Sequence, residues 1–364
     1  MIGKTLGIYI SIRFVKVLLG MVLGLGFLIV TVDFIEQLRK AAGIDDISLW
    51  SLYTIALLRA PSFIEQAFPF ACLFAAMITL TQLNLKMELV VARSAGISAW
   101  QFLLPIGISA AIVGMLVATV YNPLSVRAFE KSKDLAAVVL AREKPGADIT
   151  TRGYWVKQLD ANGGTSILNA EIAREEGQVL DNVKILRLDE TGQIYERMDV
   201  LKATYQPGEW QLENVFVTNE NGVNSLKSLI KMPTRLTRDE LLGISARPES
   251  VSFWSLRNTA ERVEKSGTNG KPYLVRHHSL MALPAFLLAM VLVAATVSLR
   301  FVRFGQVGRM ILGGILTGFV LYTVSSLITA LGNNGVVPPI VAAWAPGFVA
   351  ILFGMSALLY QEDG

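Results

Sequence analysis

From Met310 to Gln361 the chain reads MILGGILTGFVLYTVSSLITALGNNGVVPPIVAAWAPGFVAILFGMSALLYQ, without one charged side chain. A bilayer core takes about 20 apolar residues of helix, and this run is more than twice as long. Its middle, Leu331-Gly-Asn-Asn-Gly-Val-Val-Pro-Pro339, is built of turn formers. The run therefore reads as two spans, Met310–Leu331 and Ile340–Tyr360. Working outward, Ser279–Leu299 gives a fourth span and Ser94–Val126 contains a third. Gln66–Leu85 gives a second that begins near Leu52 and carries Glu65 inside or beside it. Val17–Val32 is the first, with Lys16 able to snorkel at its edge. That run is not a cleaved signal peptide. It lacks a convincing small-residue cleavage site, and Asp33, Glu36, Arg39 and Lys40 follow directly.

Composition agrees with six spans. The 364 residues are 52% hydrophobic and 17% charged, whereas soluble domains carry about a quarter charged. An ordinary cytosolic enzyme is excluded. Of 62 charged residues, 43 lie between Arg127 and Arg276, the layout of a membrane protein with one large polar insert. The insert holds 22 basic and 21 acidic residues. The net charge of +4 thus comes from short loops and is no sign of nucleic-acid binding. The expected organisation is spans one to three in 1–126, the insert in 127–278 and spans four to six in 279–364.

Lys and Arg in short loops set orientation. With the N-terminus in the cytoplasm, the cytoplasmic segments hold Lys4, Arg13, Lys16, Lys86, Arg93, Arg300, Arg303 and Arg309. The outer loops hold only Arg39, Lys40 and Arg59. Eight against three favours cytoplasmic termini and an outward, periplasmic insert.

Within the insert, Gly153–Leu159, Ser166–Ile172, Val179–Leu188, Asp199–Tyr205 and Glu209–Thr218 are short runs with partial alternation. Asn162-Gly163-Gly164, Glu176-Gly177, Thr191-Gly192, Pro207-Gly208 and Asn221-Gly222 separate them. Even spacing with such turns predicts an all-β, jelly-roll-like or sandwich domain. Its flanks read as helical: Leu124–Arg142, and Val251–Lys265 with Ser250 near its start and Gly267 after it.

Enzyme chemistry is hard to find. There is no Gly-rich loop ending in Lys-Ser/Thr, no H-E-x-x-H and no nucleophile elbow. A single cysteine, Cys72, rules out an intramolecular disulfide. It reads as a small buried hydrophobe. His277 and His278 are adjacent and point about 100° apart on a helix, so they do not easily share one metal. Ser109, Ser325 and Ser326 lie deep in spans, but no histidine does. No catalytic residue, metal or cofactor is expected.

Three stretches stand out. Lys86-Met-Glu-Leu-Val-Val-Ala-Arg-Ser-Ala-Gly-Ile97 is a short connector between two spans. Glu88 and Arg93 frame an apolar patch of Leu89, Val90, Val91 and Ala92, and Gly96 suits a helix end. It is either a docking helix for a partner or a solvated turn. Asp33-Phe-Ile-Glu-Gln-Leu-Arg-Lys40 puts Glu36, Arg39 and Lys40 on one helix face. The cations either meet anionic groups of a lipid or anchor the helix at the interface. Finally, Gly20 with Gly24, and Gly314 with Gly318, form small-xxx-small patterns that permit close helix packing.

Taken in order, these motifs resemble the permease subunits of the lipopolysaccharide-export ABC transporter, the LptF/LptG family. The resemblance covers nearly the whole chain. It includes Ile2-Gly-Lys-Thr5, Phe34-Ile-Glu-Gln-Leu-Arg-Lys-Ala-Ala-Gly43, Met87-Glu-Leu-Val-Val91 with Ala95-Gly96, and the outward β insert. Gly335-Val-Val-Pro-Pro-Ile340 followed by Pro346 looks more like the LptG member. The resemblance implies a pair of homologous permeases, one of each type, in the bacterial inner membrane. A cytoplasmic ATPase dimer would drive them to extract lipopolysaccharide and pass it to periplasmic β-jelly-roll bridge proteins. It implies that Met87–Gly96 is the coupling helix with Glu88 as its acidic residue. It also implies that Arg39 and Lys40 face the cavity and meet the substrate's phosphates; Glu36, on the same helix face, is placed to hold them before substrate arrives. Some relatives carry a further basic residue where this chain has Asp33, which weakens the cluster. Two alternatives from other classes are a membrane-anchored sensor or assembly protein and a membrane-embedded enzyme. The first would carry a cytoplasmic output domain, and none is expected after the sixth span. The second needs convergent polar groups at membrane depth.

Overall fold

A computed structural model describes residues 4–42, 47–140, 154–159, 164–174, 177–189, 193–219, 224–234, 248–265, 269–300 and 307–363. The expected turns at Asn162-Gly163, Glu176, Thr191-Gly192 and Asn221-Gly222, together with Gly267 and Arg303, lie outside the described residues. The chain divides into two compact units. One comprises Met1–Leu135, Ser252–Leu256 and Lys271–Gly364; the other comprises Ala136–Val251 and Arg257–Gly270.

The first unit is helical. Its elements are α1 (Lys4–Ala41), α2 (Leu49–Leu85), the short α3 (Glu88–Ser94) and α4 (Ala99–Leu116). A π-helical turn, Val117–Tyr121, runs on into α5 (Asn122–Leu140). After the sheet come α6 (Phe253–Lys265), α7 (Lys271–Arg300), α8 (Val307–Asn333) and α9 (Pro339–Asp363); α5 from Ala136 and α6 from Arg257 onward belong to the second unit. Among the described residues six helices are long and apolar enough to cross a membrane: α1, α2, α4 continued through the π turn into α5, α7, α8 and α9. They match the six charge-poor runs. In hydrocarbon every backbone donor must be satisfied within the segment, which leaves helices as the stable form. The charge-free run divides at its turn formers. The amide of Val336 bonds back to the Leu331 carbonyl, and Pro339 opens α9.

Burial is unequal. In their most apolar stretches α2 is 61% and α7 56% buried, against 6% for α1 and 11% for α8. The centre is packed by Phe14, Met77, Leu80, Phe102, Ile106, Leu287 and Met290. Cys72 is fully buried there, as expected. Helix α7 packs on α2, α4 and α9. A Cβ at Gly114 would meet the Pro284 backbone at 2.7 Å, so α4 and α7 touch nearly backbone to backbone.

The second unit holds a six-stranded antiparallel sheet in the order β1 to β6. The strands are Tyr154–Leu159, Thr165–Arg174, Val179–Leu188, Ile194–Gln206, Glu209–Asn219 and Asn224–Pro233. The described strands of the insert form this one sheet and follow one another as a meander, flanked by helices; the described pairings contain no interleaved Greek-key order. One face buries Leu168, Leu180, Ile185, Trp210 and Leu212 with Met232. The two outer strands approach at one end. The Thr234 hydroxyl, just past β6, donates to Gln158 Oε1 of β1 at 2.7 Å.

The sheet is also creased. Inward residues alternate up to Ala170, then resume at Ala173; the same break separates Leu180 from Val183, Val200 from Ala203, and Leu212 from Val215. The skipped positions Glu171, Asn182, Leu201, Asn214 and Ser228 drop out of the pairing at one level across β2 to β6. Asn182 and Asn214 take positive φ, 51° and 54°. Asparagine tolerates that conformation better than most residues.

Strand β6 is missing from the sequence expectation. Its residues Ser225–Leu229 are exposed throughout, so no apolar alternation marks them. Strand β4 begins at Ile194, earlier than Asp199, because Tyr195 and Glu196 are both part-buried between exposed Ile194 and Arg197, which leaves no clean alternation there. Helix α6 starts at Phe253, with the Ser252 carbonyl accepting from the amides of Ser255 and Leu256. Ser252 therefore stands at the cap, in place of Ser250, which closes a separate 3-10 turn.

Candidate functional site

The candidate residues collect at opposite ends of the long helices. At the end where the chain leaves for the insert, the last turn of α1 presents Glu36, Arg39 and Lys40. Arg39 Nη2 donates to Glu36 Oε1 at 2.9 Å, and Lys40 Nζ lies 3.6 Å from the same oxygen. The helix spacing that put them on one face brings all three together. All are open to the surroundings, with the Arg39 side chain 78% exposed. Basic side chains in the last turn also suit the negative end of the helix dipole.

Asp33 stands apart from this group. It is buried, takes a hydrogen bond from Gln37 Nε2 at 3.3 Å, and faces Arg59 of α2 at 3.8 Å. The acidic residue that seemed to weaken the cationic cluster is thus turned toward α2. Arg59 joins the same end of the unit with its guanidinium over the rings of Phe63 and Phe129.

At the other end, α2 passes through Lys86 and Met87 into α3. Met87 adopts a left-handed conformation, φ 60°, which turns the chain sharply. Leu89 is buried and holds the helix to the unit, whereas Met87, Val90 and Val91 are exposed. Arg93 lies over the Phe102 ring of α4. Gly96, at φ +83°, ends the helix. Its amide bonds to the Arg93 carbonyl and that of Ile97 to the Ala92 carbonyl. This is the paired bonding of a Schellman cap, which wants glycine at this position. The connector is an ordered helix with an apolar outward patch.

Glu88 has a partner the sequence did not suggest. Arg13 of α1 approaches it at 3.2 Å. The Tyr9 hydroxyl donates to Glu88 at 3.3 Å, and Arg13 also reaches Gln82 Oε1 at 3.3 Å. In the sequence Arg13 signalled only topology, and 75 residues separate it from Glu88.

The two glycine pairs behave differently. Gly314 and Gly318 of α8 face α2: a side chain at the first would strike Met77, and one at the second would lie 2.6 Å from Leu73. Gly20 and Gly24 of α1 have nothing within 4 Å of where a Cβ would stand. They lie on an exposed face with Leu19, Leu23, Phe27 and Leu28. Among the described residues no group of three His, Cys, Asp or Glu is placed to hold a metal ion.

The family described as Lipopolysaccharide export system permease LptF/LptG matches residues 8–361. The chain belongs to that family. The lipopolysaccharide export system permease protein LptG of Escherichia coli strain K12 is 24% identical to it over 340 residues, which is 91% of each chain. The LptG protein of Haemophilus influenzae strain Rd is 24% identical over 370 aligned positions, 99% of each. Both relatives carry the LptG name, in line with the resemblance read from the motifs. A member of the LptF/LptG family is a transport subunit, so the sensor and embedded-enzyme alternatives fall away. Its six apolar helices make it a multi-pass membrane protein.

Proposed function

We propose that this LptF/LptG-family chain is one permease of a two-permease core in the bacterial inner membrane. A cytoplasmic ATPase dimer drives the core, which extracts lipopolysaccharide and hands it to a periplasmic β bridge. Residues 1–126 and 279–364 form the membrane part, and 127–278 the periplasmic insert, with both termini cytoplasmic. The Lys/Arg bias supports this orientation.

In this reading α3 is the coupling helix. Met87, Val90 and Val91 offer the ATPase an apolar contact, and Glu88 and Arg93 frame it. The observation that carries the reading is the Arg13–Glu88 pair. It ties the connector to α1, and 26 residues farther along α1 stand Arg39 and Lys40, about 39 Å away at helical rise. A push on α3 is therefore applied to the same helix that carries the cationic rim. Arg39 and Lys40 meet substrate phosphates, arginine through its two-pronged fork and lysine as a point charge. Glu36 holds them in place until substrate arrives. The open faces of α1 and α8, with Gly20 and Gly24, serve the second permease. The exposed upper half of β6, with Leu226 and Leu229, supports strand addition by the bridge.

The test is reconstitution of the chain with an ATPase and a second permease in vesicles loaded with lipopolysaccharide. ATP-dependent release to a soluble β-jelly-roll acceptor is the expected result. Failure of the chain to co-purify with an ATPase would overturn the reading. A reporter fused after Gly364 should be active in the cytoplasm.

A further inference from the structure

One carboxylate in the helical unit joins three helices, and a fourth segment is held by one of its partners. The Glu65 side chain of α2 is 5% exposed. Asn122 Nδ2 lies 3.0 Å from both of its oxygens, and Arg276 Nη2 of α7 donates to Oε1. The remaining polar atom of Asn122, Oδ1, accepts the Phe253 amide at the start of α6 at 2.8 Å. Helix α2, the head of α5 and α7 thus meet on the Glu65 side chain, and the head of α6 is joined to them through Asn122.

The surroundings fasten the same point. Asn122 follows the π-helical turn directly, and such turns insert an extra residue that re-aims the helix beyond them. The Tyr121 hydroxyl donates to the Pro61 carbonyl at 3.1 Å, and Trp254 Nε1 to the Thr119 carbonyl at 3.2 Å. His277, next to Arg276, stacks on Phe253 with ring centres 5.1 Å apart. Pro61 and Pro69 bracket Glu65 within α2. Proline at 69 removes the amide that would bond the Glu65 carbonyl.

Fold stability alone is a poor reason for this arrangement. Buried ion pairs are often no better than well-packed apolar replacements, and their distinctive product is fixed geometry. Ionisable groups inside spans are rare and tend to mark function. The segments joined here are also special in the chain. Helix α5 leads into the insert, α6 returns from it and α7 opens the fourth span. Helix α2 runs unbroken from Glu65 to Leu85, a rod of about 30 Å, and only Lys86 and Met87 separate it from α3.

We infer that Glu65 is a positioning residue for transport: it locks both stems of the insert and the fourth span to α2, so that displacement of α3 arrives at the base of the insert as one movement. The inference rests on the proposed coupling role of α3. Breaking the lock leaves the ATPase engaged but its motion dissipated between loosened helices.

The test uses the full complex, permease pair with ATPase, in lipopolysaccharide-loaded vesicles, reading lipid released per ATP hydrolysed. Glu65→Gln keeps shape and removes the charge facing Arg276. Release per ATP should fall about tenfold while hydrolysis stays within about twofold. Adding Asn122→Asp to Glu65→Gln returns one carboxylate to the cluster beside Arg276 and the Phe253 amide, and should recover most of the coupling. A merely structural Glu65 would lower hydrolysis and release together, with their ratio unchanged, and that result overturns the inference. So does an unchanged ratio at full activity. If Glu65→Gln fails to assemble, Arg276→Lys, which retains the charge but loses the fork, is read by the same ratio. A wild-type complex that hydrolyses ATP without releasing lipid would instead defeat the proposed function.

Discussion

Helix α2 and its connector each place a glutamate against a guanidinium, the same chemistry in opposite settings. At the connector, Glu88 is 33% exposed and meets Arg13 among other polar groups. Near the insert stems, Glu65 is 5% exposed and meets Arg276 with Asn122. A partly solvated pair contributes about 0–1 kcal/mol and exchanges partners readily. A buried one contributes little net stability but becomes very costly to break halfway. The first suits a contact that an incoming protein must rearrange. The second suits a joint that must not move.

The largest expected effect breaks the buried side of this comparison. Glu65→Ala leaves the Arg276 guanidinium, a quarter exposed, without its counter-ion and should destabilise the helical unit by about 3 kcal/mol, the low end for breaking a buried pair. Thermal unfolding in detergent measures it. Glu88→Ala, measured the same way, should cost no more than about 1 kcal/mol. Equal losses would dissolve the distinction.

Next come the glycines, which test packed against open faces. Gly314→Leu and Gly318→Leu force side chains into Met77 and Leu73, and overpacking costs about 1–3 kcal/mol. At Gly20 a Cβ would have nothing within 4 Å, so Gly20→Leu should leave the chain's stability unchanged while reducing co-purification of the second permease.

Function sharpens the exposed side. Glu88→Lys places a like charge against Arg13 and removes the connector's one carboxylate, leaving only cations there alongside Lys86 and Arg93, so ATPase co-purification should be lost. Glu88→Gln should be milder. Wild-type transport by both would remove the coupling role. The smallest stability effect belongs to Arg39→Asp combined with Lys40→Asp. Both side chains are open to the surroundings, so unfolding should not shift. Lipopolysaccharide carried through purification should nevertheless fall. Arg39→Lys alone should retain more of it.

The spans were legible because charge is costly in hydrocarbon and its absence is written directly in the sequence. The grouping of Glu36, Arg39 and Lys40 followed from helical spacing alone. What escaped were contacts between distant segments. Arg13 meets Glu88 across 75 residues and Arg276 meets Glu65 across 211, and no local pattern encodes either. A glutamate flanked by Pro61 and Pro69 in an apolar span was nevertheless a signal. It asks for a partner, which the sequence reading did not seek. Strand β6 escaped because exposure on both faces erases alternation. Asp33 misled because α1 presents it to α2, away from Arg39.

The crease in the sheet bears on how the insert finds its pairing. A meander of long strands can slip by two residues and keep every side chain on its proper face. Here such a slip would place Leu180 or Lys184 of β3 where Asn182 now turns left-handed, and Leu212 or Phe216 of β5 in place of Asn214. None of these tolerates that backbone well. The two asparagines therefore act as a ratchet on alignment during folding: misaligned hairpins are strained from the moment they form and dissolve before the next strand can add to them.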